Sequence, residues 1–176
     1  FINSTNGITG KSFQILNNWQ NYFSLKSANE QLALENAKLQ TLLSHKGSND
    51  TIASILPKQY IPAMVINNSV AKRNNYLTLD KGKSHGVKKG MGVITSNGLI
   101  GIVKEVSEHF SSVLSVLHGK SKTSVVLQYS NYFGSLEWKG TNYQNAVVND
   151  IPSHVDLNIG DTIVSSGYSS IYPANI

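Results

Sequence analysis

The chain has 176 residues, of which 40% are hydrophobic and none is cysteine. This composition is too apolar for a disordered protein, and it excludes disulfide bonds, thiol catalysis and cysteine-ligated metal centres. The formal net charge is +5, but the basic residues are lysines among turn residues plus the single arginine Arg73, a pattern that argues against a nucleic-acid-binding surface.

The first predicted element is a long helix, because nothing between Gly10 and Gly47 would break one. Apolar or asparagine side chains recur every seven residues over about four heptads, which predicts a parallel coiled-coil dimerisation helix over residues 1–46. Leu34 and Leu42 lie off this stripe, which leaves open a helix packed on its own β domain. The residues assigned to the dimer seam are Ile15, Tyr22, Leu25, Asn29, Leu32, Asn36, Leu39 and Leu43.

A linker over residues 47–58 follows, and beyond it the apolar period changes to two, which is typical of β-strands. The short strands, separated by glycine and asparagine turns, indicate a mainly β fold of two small six-stranded barrels, one inserted in the other. The first barrel is assigned to 59–91 and 151–176, without its last strands, and the second to 92–150. The strands are predicted at 61–67, 76–80, 92–95, 99–106, 112–117, 123–128, 134–137, 146–149 and 162–165.

A short internal repeat marks two of the strand entrances. Residues 87–98 and 157–167 both place a glycine before two β-branched residues and a second glycine after them. We expect Gly90 and Gly160 to open their strands, and Gly98 and Gly167 to follow the β-branched pairs, in turns that only glycine adopts without strain.

Catalytic motifs are weak throughout the sequence. Ser166 or Ser169 could act with a histidine and an aspartate, but no Gly-x-Ser-x-Gly elbow frames either serine. No histidine spacing typical of a metal site is present, and no cofactor is expected. A chymotrypsin-like two-barrel serine hydrolase remains the alternative function. Its candidate partners are His85, His109, His118 and His154 as bases, and Asp80, Asp150 and Asp161 as orienting carboxylates.

Aromatic residues crowd two segments of the β region. Tyr129, Tyr132 and Phe133 fall on a strand connection, where exposed rings can anchor a partner chain, and we predict a partner-binding site there. The competing interpretation is that these rings fill a barrel core. A second group, Tyr168 and Tyr172, lies near the end of the sequence.

Several motifs taken together resemble one family. They are ANEQL at 28–32, LENAKL at 34–39, AMVI at 63–66, LDKG at 79–82, HGVKKGMGVI at 85–94, GLIGIVKEV at 98–106 and IGDTIVSSG at 159–167, with Tyr172 and Pro173 after them. In this order they are similar to MreC, the bacterial cell-shape-determining proteins.

The resemblance implies a non-catalytic scaffold of the cell-elongation machinery that binds and organises peptidoglycan-synthesis enzymes. It implies a single-pass inner-membrane protein whose membrane helix precedes Phe1, with this region on the extracytoplasmic or periplasmic side. The implied partners are a second copy of the chain, with further self-assembly, the elongation-specific class B penicillin-binding protein, MreB, MreD and RodA.

Overall fold

The computed structural model describes residues 25–43, 59–169 and 171–176. The chain divides into two compact units, which meet in sequence at Pro62 and Ala63. Residues 25–43 form one helix, α1, so the predicted helix is confirmed over that range. The helix is rich in leucine, alanine, glutamate and lysine, all good helix formers. No helix in the described residues combines the length and the apolar character that crossing a bilayer requires.

The second unit is a β domain, so the predicted mainly β fold with an N-terminal helix is confirmed. Its strands lie close to the predicted ones, although β1 starts later than expected, at Val65, because the Met64 amide donates to the Asp80 carboxylate at 2.7 Å and not to a backbone carbonyl. A short 3₁₀ turn, Lys83–His85, separates β2 from β3. The strands are β1 (Val65–Asn68), β2 (Asn74–Leu79), β3 (Gly92–Thr95), β4 (Gly98–Val106), β5 (Ser111–His118), β6 (Lys122–Leu127), β7 (Phe133–Glu137), β8 (Val147–Asn149) and β9 (Ile163–Ser165).

These strands pair into two antiparallel sheets that follow each other along the chain. The first sheet has five strands in the order β1-β2-β5-β4-β3, and the second has four in the order β8-β7-β6-β9. The predicted nesting of two six-stranded barrels is not seen in this pairing, because the first sheet crosses the expected boundary at residue 91 and β9 pairs with β6. In each sheet a later strand returns to pair with an earlier one, β5 with β2 and β9 with β6, and the pattern of buried side chains fixes the register of such pairings. The predicted boundaries at 46 and 58 lie outside the described residues.

The first sheet buries one face of its three inner strands, β2, β5 and β4. Inward positions alternate along β2, where Leu77 and Leu79 are buried. Leu77 is opposite the buried Val113 of β5, which is in turn opposite the buried Val103 of β4. Burying each of these side chains contributes about 1.5–3 kcal/mol relative to exposure. Asn75 occupies an inward position as well, but its amide donates to the Leu117 carbonyl at 2.7 Å and accepts from the Lys72 amide at 3.0 Å. Its burial therefore leaves no polar group unsatisfied.

The core of the second sheet is built from Val125, Leu127 and Trp138, whose indole donates to the Asn142 carbonyl at 2.7 Å. Residues 173–176 lie against β9, where the Ser165 hydroxyl donates to the Pro173 carbonyl at 2.6 Å. This arrangement places Tyr172 against the bare backbone of Gly92, where it is 3% exposed. Burial raises the pKa of Tyr172 to about 12. One member of the second aromatic group is thus a core residue.

The repeated glycines have the conformations that the sequence predicted. Gly90, Gly98, Gly160 and Gly167 have φ angles of 89°, 131°, 105° and 68°. Gly160 lies in a turn that is closed by the Asp161 amide donating to the Asn158 carbonyl at 3.1 Å, just before β9. Positive φ is costly for any residue with a Cβ, which explains glycine at these turns.

We expect Gly160→Val to lower the free energy of unfolding by about 2 kcal/mol, because a β-branched side chain is strained at this φ. Space is not the cause, since a Cβ at Gly160 would meet nothing within 4 Å. Lys88→Ala, at an exposed turn, should change stability by less than about 0.5 kcal/mol. Thermal unfolding of both variants checks this, and equal melting temperatures would refute the role assigned to Gly160.

Candidate functional site

The described part of α1 presents its apolar side chains to solvent. Leu25, Leu32, Leu39 and Leu43, which the heptad pattern assigned to the seam, are 62%, 56%, 56% and 63% exposed. Asn29 and Asn36 lie on the same stripe and are also exposed. Ile15 and Tyr22, the other two seam residues, lie outside the described residues. An apolar stripe of this length in water is typical of a helix that pairs with another helix.

Two further leucines are exposed away from the seam. Leu34 and Leu42 are 60% and 55% exposed. Because they lie off the stripe, they supply controls for the seam assignment, which stays a prediction.

Tyr129 lies at the tip of the connection between β6 and β7 and is 87% exposed. The connection is tight, because the Asn131 amide donates to the Leu127 carbonyl and the Leu127 amide donates to the Tyr132 carbonyl, both at 3.0 Å. Asn131 has a φ of 55°, in the left-handed region that asparagine tolerates. The ring of Tyr129 is therefore held out on an ordered turn.

The other two residues of the predicted partner site point to different neighbours. Tyr132 is half-buried and packs edge-to-face on His154, with ring centroids 5.5 Å apart. Phe133 is 54% exposed and pairs with the ring of Tyr168 at 6.3 Å. We call Phe133 and Tyr168 the aromatic pair. The sequence placed these two rings in separate groups, and only the pairing of β6 with both β7 and β9 brings them together.

The candidate catalytic residues are not assembled into a triad. The hydroxyl of Ser166 donates to the Ser124 hydroxyl at 2.9 Å, whereas Asp80 and Asp161 accept backbone amides of Met64 and Asn158. Ser84 contacts Nδ1 of both His85 and His109, but its hydroxyl donates to the Glu108 carbonyl at 2.7 Å. In the described residues, no carboxylate hydrogen-bonds to any of these histidines. Nothing in this geometry supports the hydrolase alternative.

His118 ends β5 and is 2% exposed. Its Nδ1 accepts the Lys120 backbone amide at 2.9 Å, which leaves Nε2 to carry the proton facing the Tyr76 hydroxyl at 3.2 Å. Burial lowers the pKa of His118, and the charges of Lys120 and Lys104 lower it further. A neutral histidine with both nitrogens engaged fixes the connector between the two sheets.

An exposed leucine stripe and an exposed aromatic side chain on a β-turn are features typical of proteins that associate with other chains. The chain belongs to the MreC family, since residues 65–176 match the family described as rod shape-determining protein MreC, barrel core.

Individual relatives agree with this assignment. The cell shape-determining protein MreC of Listeria monocytogenes is 29% identical over 159 residues, which cover 86% of this chain and 54% of that protein. A solved structure of Listeria MreC is 27% identical with a TM-score of 0.63, covering 92% of this chain and 76% of the other. The major periplasmic domain from the cell shape-determining filament MreC is 30% identical with a TM-score of 0.52, covering 65% and 71%. The chain spans about half the length of the curated Listeria relative.

Proposed function

We propose that this chain is the extracytoplasmic part of a non-catalytic scaffold that controls bacterial cell shape. The observation that carries the proposal is α1, whose leucines are all more than half exposed along the heptad stripe. Each sheet of the β domain, in contrast, has buried apolar side chains of its own, such as Val113 in the first and Val125 in the second. A helix with an unburied apolar stripe gains stability by pairing, so the chain is suited to association.

The proposed first partner is a second copy of the chain, through the seam from Ile15 to Leu43. Support comes from the relative described as a cell shape-determining filament, since a filament requires contacts between copies. The same relative is described as periplasmic, which supports an extracytoplasmic location for this region, anchored by an upstream single-pass helix in the inner membrane. As a scaffold, it would bind and organise the elongation-specific class B penicillin-binding protein, together with MreB, MreD and RodA.

Tyr129 is the proposed centre of the contact with that penicillin-binding protein, with Tyr132 and Phe133 beside it in the chain. A large ring on an ordered turn buries much area at low entropic cost, which is how binding hot spots are built. Tyr132 supports the turn through His154, so its replacement would test folding as much as binding.

We expect Tyr129→Ala to weaken binding to the penicillin-binding protein by roughly 2 kcal/mol, about 30-fold, without a change in melting temperature. Calorimetric titration of the two purified proteins measures this. Tyr143→Ala is the matched control, because Tyr143 is also exposed, at 62%, but lies in the connection between β7 and β8. Equal affinities for the two variants would place the interface elsewhere.

The cellular test uses the full-length protein in its source bacterium. We expect cells whose only copy carries Tyr129→Ala to produce the protein at normal levels and to lose their normal ratio of length to width. Cells carrying Tyr143→Ala should keep it. Normal shape with Tyr129→Ala would argue against a scaffold that acts through this turn.

A further inference from the structure

The outer face of the second sheet carries a row of small polar side chains that crosses β8, β7 and β6 and ends at Ser166, directly after β9. Ser124 is directly opposite Ser135 in the pairing of β6 with β7, and Ser135 is opposite Asn149 on β8. On the other side, the Ser166 hydroxyl lies 2.9 Å from the Ser124 hydroxyl. Residues opposite each other share one face of a sheet. We call Asn149, Ser135, Ser124 and Ser166 the polar row.

The polar row forms the floor of a shallow groove that has an aromatic wall on one side and a charged wall on the other. Phe133 is the next residue of β7 on the same face as Ser135, and it lies opposite Val126 of β6. Its ring pairs with that of Tyr168 and forms one wall. On the other side of the row, Lys122 of β6 lies opposite Glu137 of β7, and the two form an ion pair of 2.7 Å that is the charged wall. The groove has a volume of about 300 Å³ beside Lys122 and Asp150, and of about 340 Å³ beside Tyr168. These volumes fall at the lower end of small-ligand sites.

The hydroxyls of the floor have unused hydrogen-bonding capacity. Ser166 accepts the Tyr168 amide at 3.2 Å and donates to Ser124, so the Ser124 proton is left to donate elsewhere. In the described part of the chain, neither the Ser135 hydroxyl nor the Asn149 side-chain amide hydrogen-bonds to a protein group. All four members of the row are accessible to solvent. The floor thus offers both donors and acceptors at fixed positions on a sheet.

A floor of free hydroxyl groups beside an aromatic wall favours one class of ligand over the others. A peptide that adds a strand needs a sheet edge, and the row lies on a sheet face. An apolar helix would bury the hydroxyls without partners, at a cost in free energy for each. A sugar ring carries hydroxyl groups around its rim and C–H groups on its faces, so it can hydrogen-bond to the row while stacking on an aromatic side chain. Because neighbouring strands lie about 4.8 Å apart, the row extends over about 14 Å, enough for a chain of linked rings.

We infer that this groove binds an oligosaccharide chain, with the aromatic pair stacking on sugar rings and the polar row bonding to their hydroxyl or acetamido groups. Lys122 and Asp150 contact its end at the charged wall. Because the groove is open, binding is weak and is read best by titration at high ligand concentration. The groove shares Phe133 with the proposed partner contact, but Tyr129 and α1 take no part in it, and the variants that test it leave Phe133 unchanged.

The test is a titration of the isotope-labelled 176-residue chain with a tetramer of N-acetylglucosamine, followed by amide chemical shifts. We expect saturable shifts at Ser124, Gly134 and Ser135. Tyr168→Ala should weaken binding roughly tenfold, because one stacking contact is lost. Tyr168 is 87% exposed, so this variant should fold normally. Tyr143→Ala is the control and should bind as the parent chain does. A tetramer of glucose tests the contribution of the acetamido group.

Three outcomes would overturn the inference. The first is the absence of saturable shifts with either tetramer, and the second is unchanged affinity in both Tyr168→Ala and the double variant Ser124→Ala with Ser135→Ala. The third is a set of shifts at the polar row that depends on protein concentration and not on sugar, which would make this face a contact between copies. None of these results would bear on binding of the penicillin-binding protein through Tyr129.

Discussion

Gly101→Ala is expected to lower the free energy of unfolding by about 3 kcal/mol, the upper end of what overpacking costs. Gly101 lies within β4, opposite Val93 of β3 and Ser115 of β5. A Cβ at Gly101 would overlap the backbone carbonyl oxygen of Leu114 and would come within 2.9 Å of a Val113 methyl group. Neither neighbour can retreat, because Leu114 is in the central strand and Val113 is fully buried.

Gly119→Ala is the matched control, since the chemical change is the same. At Gly119 the nearest atom to an added Cβ is the Arg73 carbonyl oxygen at 3.5 Å, which is an ordinary contact. We expect a change of no more than about 0.5 kcal/mol there. Thermal unfolding should separate the two variants by about 10 °C or more. Indistinguishable melting temperatures would mean that β4 and β5 separate without cost at Gly101.

Replacing Leu25, Leu32 and Leu39 together by alanine is expected to weaken self-association of the chain by more than about a hundredfold. These residues occupy one heptad position and are exposed in the single chain. Alanine is the best helix former, so the helix itself should persist while its apolar stripe is lost. Sedimentation equilibrium measures the association, and circular dichroism checks the helix.

Leu34→Ala is the control for this variant, because Leu34 is 60% exposed but lies off the stripe. It should leave the association unchanged. Replacing Asn29 and Asn36 by leucine should act in the opposite direction, stabilising the assembly and loosening its stoichiometry toward trimers or tetramers. If every one of these chains sediments as a monomer, the helix does not pair with a second copy and the heptad assignment is wrong.

The candidate sites could be predicted in part. The exposed ring of Tyr129 was accessible to prediction because a turn between two strands places its tip in solvent. The partnership of Phe133 with Tyr168 was not, because no local pattern relates residues so far apart in the chain. The polar row was missed for the same reason. No sequence motif marks Ser124, Ser135 or Asn149. Only the register of β6, β7 and β8 places them opposite one another.

The sequence by itself determined the local features of this protein. These are the leucine helix, the number and approximate positions of the strands, and the turns of positive φ at Gly90 and Gly160. Each depends on periodicity or on the conformational range of one residue, which neighbouring residues encode. The tertiary structure alone decided the grouping of strands into consecutive sheets, the close approach of β5 at Gly101, the burial of Tyr172 and the alignment of the polar row. These features depend on which distant strands pair and in what register, a choice made by the packing of the whole domain.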